Sequence, residues 1–407
     1  MEAGEALKAE GFLKAGEALE LIGRGTEMII GKEALAEYLA SAHPLTIKFG
    51  VDPTRPDLTF GHLVVFHKLR QFQDLGHRAV LLIGDYTATI GDPSGRSATR
   101  PVLSSEEVER NAETYLQQAF RVLDPEKTSV RRNSEWFAKM SFDQALDLAR
   151  KMTVARMLER DDFQKRHREG SPISIVEFLY PLIQGYDSVM LGSDVEIGGS
   201  DQLFNMLVGR GLQREAGLRE QVVIGMPLLV GLDGVKKMSK SGDNYIAFND
   251  SARDMFGKLM SIPDAAMESY YRLLLGTGEA ELLALRALHP MEAKKRLATR
   301  LVARFFDEAQ AARERAEFEA IFSQKALPED MPCFHWEQLT PGEEADLVGL
   351  VHATGLFPSR REVRRLQEQR AIRVNGGPWA EGQLGRPREG ESWVIQVGRR
   401  QFFRIES

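Results

Sequence analysis

The sequence predicts an α/β protein: a parallel-sheet domain interrupted by helices, then a helical region, then a small α+β tail. Three observations carry this. Residues 45–84 read strand, loop, helix, strand. The run "VVIGMPLLVGL" (222–232) returns to the continuous apolar text of a strand buried on both faces, and helical periodicity takes over beyond about residue 250. At 407 residues the chain is also too long for one compact core, so two or three domains are expected.

Taken in order, residues 1–44 read as a helical extension, with apolar spacing in "ALKAEGFLKAGEALELI" and "KEALAEYLA" and no evident chemistry. "LTIKFGV" (45–51) is a strand candidate, and "DPTRPDLTF" after it carries two prolines and cannot continue a sheet. From Gly61 the text is helical, with Val65, Phe66, Leu69 and Phe72 on one face and Gly76 as a stop. "AVLLIG" (79–84) then completes a βαβ unit, whose crossover should be right-handed and whose strands should be parallel. The loop 52–60 lies at the carboxyl end of the first strand, where open α/β sheets bind ligands. Residues of about 105–195 form a helical insertion within a domain spanning 45–250, and 251–330 form a helical domain. A proline-bearing stretch, 331–344, reads as a linker. The segment 345–407 contains "PSRREVRRLQEQ", with a capping-box pattern at Ser359 and Glu362 and with Val363 and Leu366 facing inward. "AIRVNGG" and "WVIQVGRRQFFRI" follow as short strands.

Composition narrows the classes. An apolar fraction of 43% and a charged fraction of 28% exclude collagen-like and disordered chains. The single cysteine, Cys333, excludes a disulfide framework and a thiolate cluster. The eight scattered histidines have no metal-ligand spacing, so no structural metal is expected. No signal-peptide core or membrane-length apolar run is visible, so a cytoplasmic protein is expected. Charge is uneven. From Ser359 to Ser407 there are eleven arginines, no lysine and six acidic residues, a net +5, which leaves −11 for the rest of a chain whose total is −6. A basic tail on an acidic body suits a polyanion such as nucleic acid, or else an ordinary solvated face.

Five short stretches could carry chemistry. In "DPTRPDLTFGHL", Gly61 and His62 fall at a helix start, where free N–H groups and the positive dipole end suit a phosphate. "IGDPSGRS" offers Asp92 and Arg96 from a tight turn, and "IGGSDQ" offers Asp201 and Gln202. "YPLIQGYD" puts Tyr180, Gln184 and Asp187 at i, i+4 and i+7, one face of a helix, although Pro181 calls for a helix start or a kink. "GVKKMSKSGDN" places Lys237 and Lys240 between Gly234 and Gly242, which permit a mobile loop that brings point charges to an oxyanion. Read singly, these are more often an ordinary helix start, turn, polar face or solvated loop. Walker A spacing and a clean GxGxxG are absent, which argues against a P-loop NTPase or a nicotinamide dehydrogenase.

The conjunction is more specific. "TFGH" (59–62) followed by "KMSKS" (237–241) resembles the paired signatures of class I aminoacyl-tRNA synthetases. With "IGDPSG", "YxxxQxxD" and "GGSDQ" the resemblance is to the tyrosyl-tRNA synthetase family, over nearly all the chain past residue 44. The tail "SRREVRRLQEQRAIRVNGG" resembles the S-four-type RNA-binding module of the bacterial members. The resemblance implies a Rossmann-like parallel-sheet catalytic domain, tyrosine, ATP with Mg²⁺ and tRNA(Tyr) as partners, and a homodimer. It places Thr54 and His62 on the triphosphate, with Gly61 and Ser241 beside them, and Lys237 and Lys240 on the departing pyrophosphate. Arg96 and Arg100 would lie on a nearby basic loop and Asp201 on the ribose. Asp92, Tyr180, Gln184 and Gln202 would hold the tyrosine ammonium end, and Asp187 would accept from the phenol. Arg360, Arg361, Arg364, Arg365 and Arg373 would meet RNA.

Three positions depart from the family pattern. Thr59 occupies the catalytic place of the first signature histidine. Lys48 stands where many bacterial relatives have a tyrosine beside the substrate phenol, and Phe49 replaces a residue that in some relatives meets the ribose. The alternatives are a tryptophanyl-tRNA synthetase, a small-molecule adenylyltransferase and an RNA-binding paralogue with a dead site.

Overall fold

The computed structural model describes residues 14–41, 43–93, 104–240, 242–323, 331–379, 382–388, 390–398 and 401–407. The chain divides into two compact units, Met1–Glu308 and Ala309–Ser407.

The first unit is organised by a six-stranded sheet with strand order β1-β6-β5-β2-β3-β4. Its strands are β1 (Met28–Ile30), β2 (Thr46–Val51), β3 (Arg78–Ile83), β4 (Thr128–Arg132), β5 (Val195–Gly199) and β6 (Val222–Met226). β2 and β3 pair in parallel with Ile47 opposite Ala79, and helix α1 (Phe60–Asp74) connects them, which is the expected βαβ unit. Its face is fixed by Val65, Phe66, Leu69 and Phe72, all buried, and the chain leaves it through Gly76 at φ 93°. Two strands differ from the sequence reading. β1 lies in the stretch read as wholly helical, where it pairs antiparallel with β6, Ile29 opposite Ile224. Three residues are too few to show a period of two, and the edge of β6 supplies the partner. β4 lies in the helical insertion and extends the sheet beside β3.

From β2 the chain builds outward through β3 and β4, then returns to the other side of β2 to add β5 and β6. The reversal leaves a crevice at the carboxyl ends of β2 and β5, the topological switch point where open α/β sheets bind ligands. Helices α2 (Ser105–Ala119), α4 (Ile175–Leu191) and α5 (Leu203–Glu215) contribute to its lining, and α3 (Phe142–Ala149) packs in a core cluster with α4 and α5. Helices α6 (Ala252–Ser261), α7 (Asp264–Leu275) and α8 (Pro290–Phe305) follow.

α4 and α5 cross at two glycines. A Cβ on Gly185 would lie 2.9 Å from the Gly209 nitrogen, and one on Gly209 would lie 2.9 Å from Ser188 Oγ. Side chains there would push the helices apart. Pro181 sits inside α4 rather than at its start, so the helix lacks one backbone hydrogen bond in its second turn.

An aromatic cluster anchors the start of α1. Phe60 stacks on Phe305 at 5.3 Å, and Phe248 meets Phe305 at 4.9 Å and Phe66 at 6.1 Å. Backbone bonds join the same region, Phe60 N–H to Ile246 O and Phe248 N–H to Leu58 O. Burying each ring contributes about 1.5–3 kcal/mol. The segment after the lysine loop is thereby fixed to the segment before α1.

The second unit has a five-stranded sheet, order β10-β9-β12-β13-β7, and a two-stranded one, β11-β8. These strands are β7 (Cys333–His335), β8 (Glu344–Asp346), β9 (Ile372–Val374), β10 (Gly377–Pro378), β11 (Gln383–Gly385), β12 (Ser392–Val397) and β13 (Gln401–Glu406). Helices α9 (Leu347–Ala353) and α10 (Arg360–Glu368) pack on them around Trp336, Leu350, Val363, Ile395 and Phe403. The stretch read as a linker therefore carries a sheet strand, β7, and a core residue, Trp336, which is 1% exposed. Its prolines hid both. Ser359 caps α10 by accepting from the Glu362 N–H, and Arg360, Arg361, Arg364, Arg365 and Arg373 are all exposed.

Candidate active site

A cavity of about 890 Å³ opens at the switch point. Its lining includes Lys48, Thr54, Thr59, Gly61, His62, Asp92, Tyr180, Gln184, Asp187, Asp201, Gln202, Lys237 and Lys240, thirteen of the residues singled out in the sequence. Arg96, Arg100 and Ser241 lie outside the described residues.

One part of the lining suits an anion. Thr59 is the N-cap of α1 and His62 its third residue, so the imidazole folds back and its Nδ1 accepts the Thr59 N–H at 3.1 Å. That bond assigns the ring hydrogen of the neutral imidazole to Nε2. Burial and the nearby Lys240 charge push the His62 pKa down to about 3, so the ring is a neutral donor at any physiological pH. Gly61 faces Met238. A Cβ there would fill the gap between Thr59 Oγ1 at 3.4 Å and the Met238 carbonyl at 3.8 Å.

The lysine loop runs past this helix start. Val230 and Lys237 form an antiparallel bridge, and the buried Asn244 ties the loop together. Its Oδ1 accepts from Ser239 N–H at 2.8 Å, and its Nδ2 donates to Asp233 Oδ2 at 2.8 Å and to the Lys237 carbonyl at 3.2 Å. Gly234 has φ 73° as a turn glycine. The second left-handed residue is Asp243, φ 50°, rather than Gly242. Lys237 Nζ pairs with Asp201 Oδ2 at 2.7 Å. Lys240 Nζ instead donates to Tyr115 OH at 3.0 Å and faces the Arg55 carbonyl at 3.4 Å. Burial lowers the Lys240 pKa to about 8.

The other part suits a small polar ligand with a hydroxyl. Parallel register sets Lys48 on β2 directly beside Glu196 on β5, and the two form a buried ion pair at 2.9 Å. Lys48 Nζ also donates to Ser188 Oγ at 2.8 Å and to the Gln184 carbonyl at 3.1 Å, so its three N–H donors are taken by the protein. Asp187, one turn from Gln184 on α4, accepts from Trp136 Nε1 at 2.9 Å and faces Asn133 Nδ2 at 3.4 Å. Burial raises its pKa to about 7, against the lowering influence of Lys48 and these two donors. Tyr180 OH donates to Asp52 Oδ2 at 2.9 Å, and Thr87 Oγ1 donates to Asp52 Oδ1 at 2.7 Å. Gln202 Nε2 donates to Asp92 Oδ2 at 2.9 Å, and Asn205 Nδ2 bridges Gln184 Oε1 and Gln202 Oε1 at 2.9 and 3.0 Å. The close α4–α5 crossing makes that bridge possible.

A family model for class I tRNA synthetases (W and Y) matches residues 40–323. The chain belongs to this family. The tyrosine–tRNA ligase of Geobacter sulfurreducens is 50% identical over 406 residues, 97% of this chain and 99% of that protein. That of Moorella thermoacetica is 48% identical over 404 residues, 96% of this chain and 95% of the other. Among solved structures, a C-terminally truncated mitochondrial tyrosyl-tRNA synthetase of Aspergillus nidulans aligns with TM-score 0.65 at 22% identity. It covers 79% of this chain and 100% of that one. A tyrosyl-tRNA synthetase of Archaeoglobus fulgidus complexed with L-tyrosine aligns with TM-score 0.59 at 23% identity, over 74% and 99%. These two likenesses concern the fold, a synthetase fold of mixed α/β type.

Several cavity residues of this synthetase escaped the sequence reading. Asp52, Tyr115 and Glu196 line the cavity, while Asn133, Trp136, Ser188 and Asn205 hold the lining in place. Asp52 lies within the quoted "DPTRPDLTFGHL" and could have been found there. The others sit singly on elements whose meeting is a tertiary fact.

Proposed function

We propose that the chain is a tyrosine–tRNA ligase, activating tyrosine with ATP and then passing the tyrosyl group to the 3′-terminal ribose of tRNA(Tyr). In the first step the tyrosine carboxylate attacks the α-phosphorus of magnesium-complexed ATP, giving tyrosyl-AMP and pyrophosphate. No protein nucleophile is required, and catalysis is positioning plus stabilisation of charge growing on the phosphates. His62 donates Nε2–H to a phosphate oxygen, with Thr54 and Gly61 beside it, while Lys237 and Lys240 neutralise the leaving pyrophosphate. Asp201 binds the ribose. Asp92, Tyr180, Gln184 and Gln202 receive the tyrosine ammonium end, and Asp187 accepts from the phenol. Lys48 contributes charge and position rather than a direct bond. Arg360, Arg361, Arg364, Arg365 and Arg373 contact the tRNA, and the work takes place in the cytoplasm.

The observation that carries the amino-acid choice is the buried Asp187 carboxylate, oriented by Trp136 and facing a shared cavity. A phenol O–H satisfies that acceptor and its oxygen can still accept from a neighbouring donor, whereas an indole brings only its single N–H. Pyrophosphate exchange across the amino acids tests this: exchange driven by tyrosine is expected, and exchange driven by tryptophan would overturn the assignment. Removing residues 331–407 should spare exchange and cripple tRNA charging. Equal loss of both, or of neither, would count against the synthetase reading.

A second copy of the chain is the proposed partner of an apolar face on the insertion. Phe142 on α3 is 77% exposed and Ile175 at the start of α4 is 80% exposed, with Leu146, Val154 and Val176 also exposed. Their helices pack around one core cluster that includes Leu148, Met157 and Leu182. The unaltered protein should sediment as a dimer and Ile175→Asp as a monomer; identical sedimentation would remove this face from the interface.

A further inference from the structure

We propose that Tyr115 is a positioning residue that holds Lys240 against the start of α1, ready for the departing pyrophosphate before ATP arrives. The proposal rests on the reading of the cavity as an ATP site.

Tyr115 lies on α2, 2% exposed, and lines the cavity. Its hydroxyl oxygen accepts from Lys240 Nζ at 3.0 Å, and the same ammonium lies 5.0 Å from its ring centroid, within cation–π range. Its ring also meets His62 edge-on, with centroids 6.4 Å apart at 64°. One side chain thus touches both signature groups, the helix-start histidine and the loop lysine. The aromatic cluster beneath α1 does not do this, because it fixes backbone segments rather than the lysine head.

The kind of contact matters. Lys237 is neutralised by Asp201 at 2.7 Å, whereas among the described residues no carboxylate lies within ion-pair distance of Lys240. Its neighbours are a hydroxyl, a ring face and a carbonyl. Hydrogen bonds between neutral and charged groups that each have to be given up are weaker than an ion pair, so a phosphate oxygen can take over the ammonium with net gain. Burial in that setting keeps the lysine in one place without a direct ion pair, its charge only partly offset by the more distant Asp57 and opposed by Arg55. A lysine on a long exposed loop would otherwise have to be ordered at the moment of reaction, at a cost in side-chain entropy.

The test is a double-mutant cycle read by tyrosine-dependent pyrophosphate exchange on the full chain. Tyr115→Phe keeps the ring and removes the acceptor, and it should lower kcat about two- to tenfold with the tyrosine Kd unchanged. Tyr115→Leu, which loses the ring as well, should lower it further. In a Lys240→Ala background either change should add less than about twofold, because the group it positions is gone. Full additivity would overturn the proposal, as would loss of tyrosine binding in step with kcat, which marks a packing role. Unaltered protein without tyrosine-driven exchange would sink the activity reading itself, and this proposal with it. Normal exchange together with an unaffected Tyr115→Phe would sink the proposal alone.

Discussion

Lys240→Ala should lower kcat for tyrosine activation about ten- to a hundredfold while leaving the tyrosine Kd unchanged. The change removes a charge-assisted contact of about 1.5–3 kcal/mol that exists only once charge develops on the pyrophosphate. Lys237→Ala should cost less, because Lys237 is half exposed and must first release Asp201. The pH dependence follows from the burial of Lys240, which lowers its pKa to about 8. Below that pH the ammonium is charged and competent. As pH rises through about 8 the free protein loses the charge, so kcat/KM for ATP should fall on the alkaline side. The His62 ring is not the source of that limb, since its pKa of about 3 leaves it neutral throughout. A profile flat to pH 9, or a raised tyrosine Kd at normal kcat, would refute this role for Lys240.

The contrast between the two lysines shows what the sequence could and could not convey. "KMSKS" names both residues, and the βαβ pattern places the helix start they approach. Neither tells that Lys237 is paired with Asp201 and that Lys240 is docked on Tyr115, because Tyr115 lies in an amphipathic helix whose text marks it as core. The same holds for Lys48. The family resemblance pointed to its place in the cavity, but the register that sets it against Glu196 depends on β5 joining β2 from the far side of the sheet. The sequence marks Lys48 only as a departure from the family pattern, and the fold shows its three donors taken by Glu196, Ser188 and the Gln184 carbonyl. Glycines followed the opposite course. Gly185 carries no signal of its own within "YPLIQGYD", and it is the point where α4 and α5 touch. Patterned elements of ten residues or more were readable, as α1 and α4 show. Strands of three residues, such as β1 and β7, were not, since only the neighbouring strand makes them strands.

Asp187→Asn should cut kcat/KM for tyrosine about ten- to a hundredfold and, more tellingly, should weaken the discrimination between tyrosine and phenylalanine. With Asp187 as the proposed phenol acceptor, the O–H of tyrosine makes up for the solvent contact that the carboxylate gives up on binding. Phenylalanine leaves that carboxylate buried without its partner, a cost of the same order as the bond itself. Asparagine keeps the shape and can still accept from Trp136, so packing is preserved and only the charge is lost. Tyrosine then loses most of its advantage while phenylalanine loses little. The acid limb gives an independent reading of the same group. Burial raises the Asp187 pKa to about 7, so the carboxylate is charged above that pH and protonated below it. Affinity for tyrosine should decline as pH falls through about 7, and the decline should disappear in Asp187→Asn. Lys48 opposes that shift, and its partner Glu196 offers a control. Glu196→Gln leaves a buried ammonium without its counter-charge and should destabilise the fold by about 3–5 kcal/mol, visible as a lower Tm. Asp187→Asn removes no such partner, so its Tm should stay near that of the parent. An Asp187→Asn variant that loses tyrosine and phenylalanine exchange in equal proportion would place the residue in the scaffold and not in the choice of amino acid.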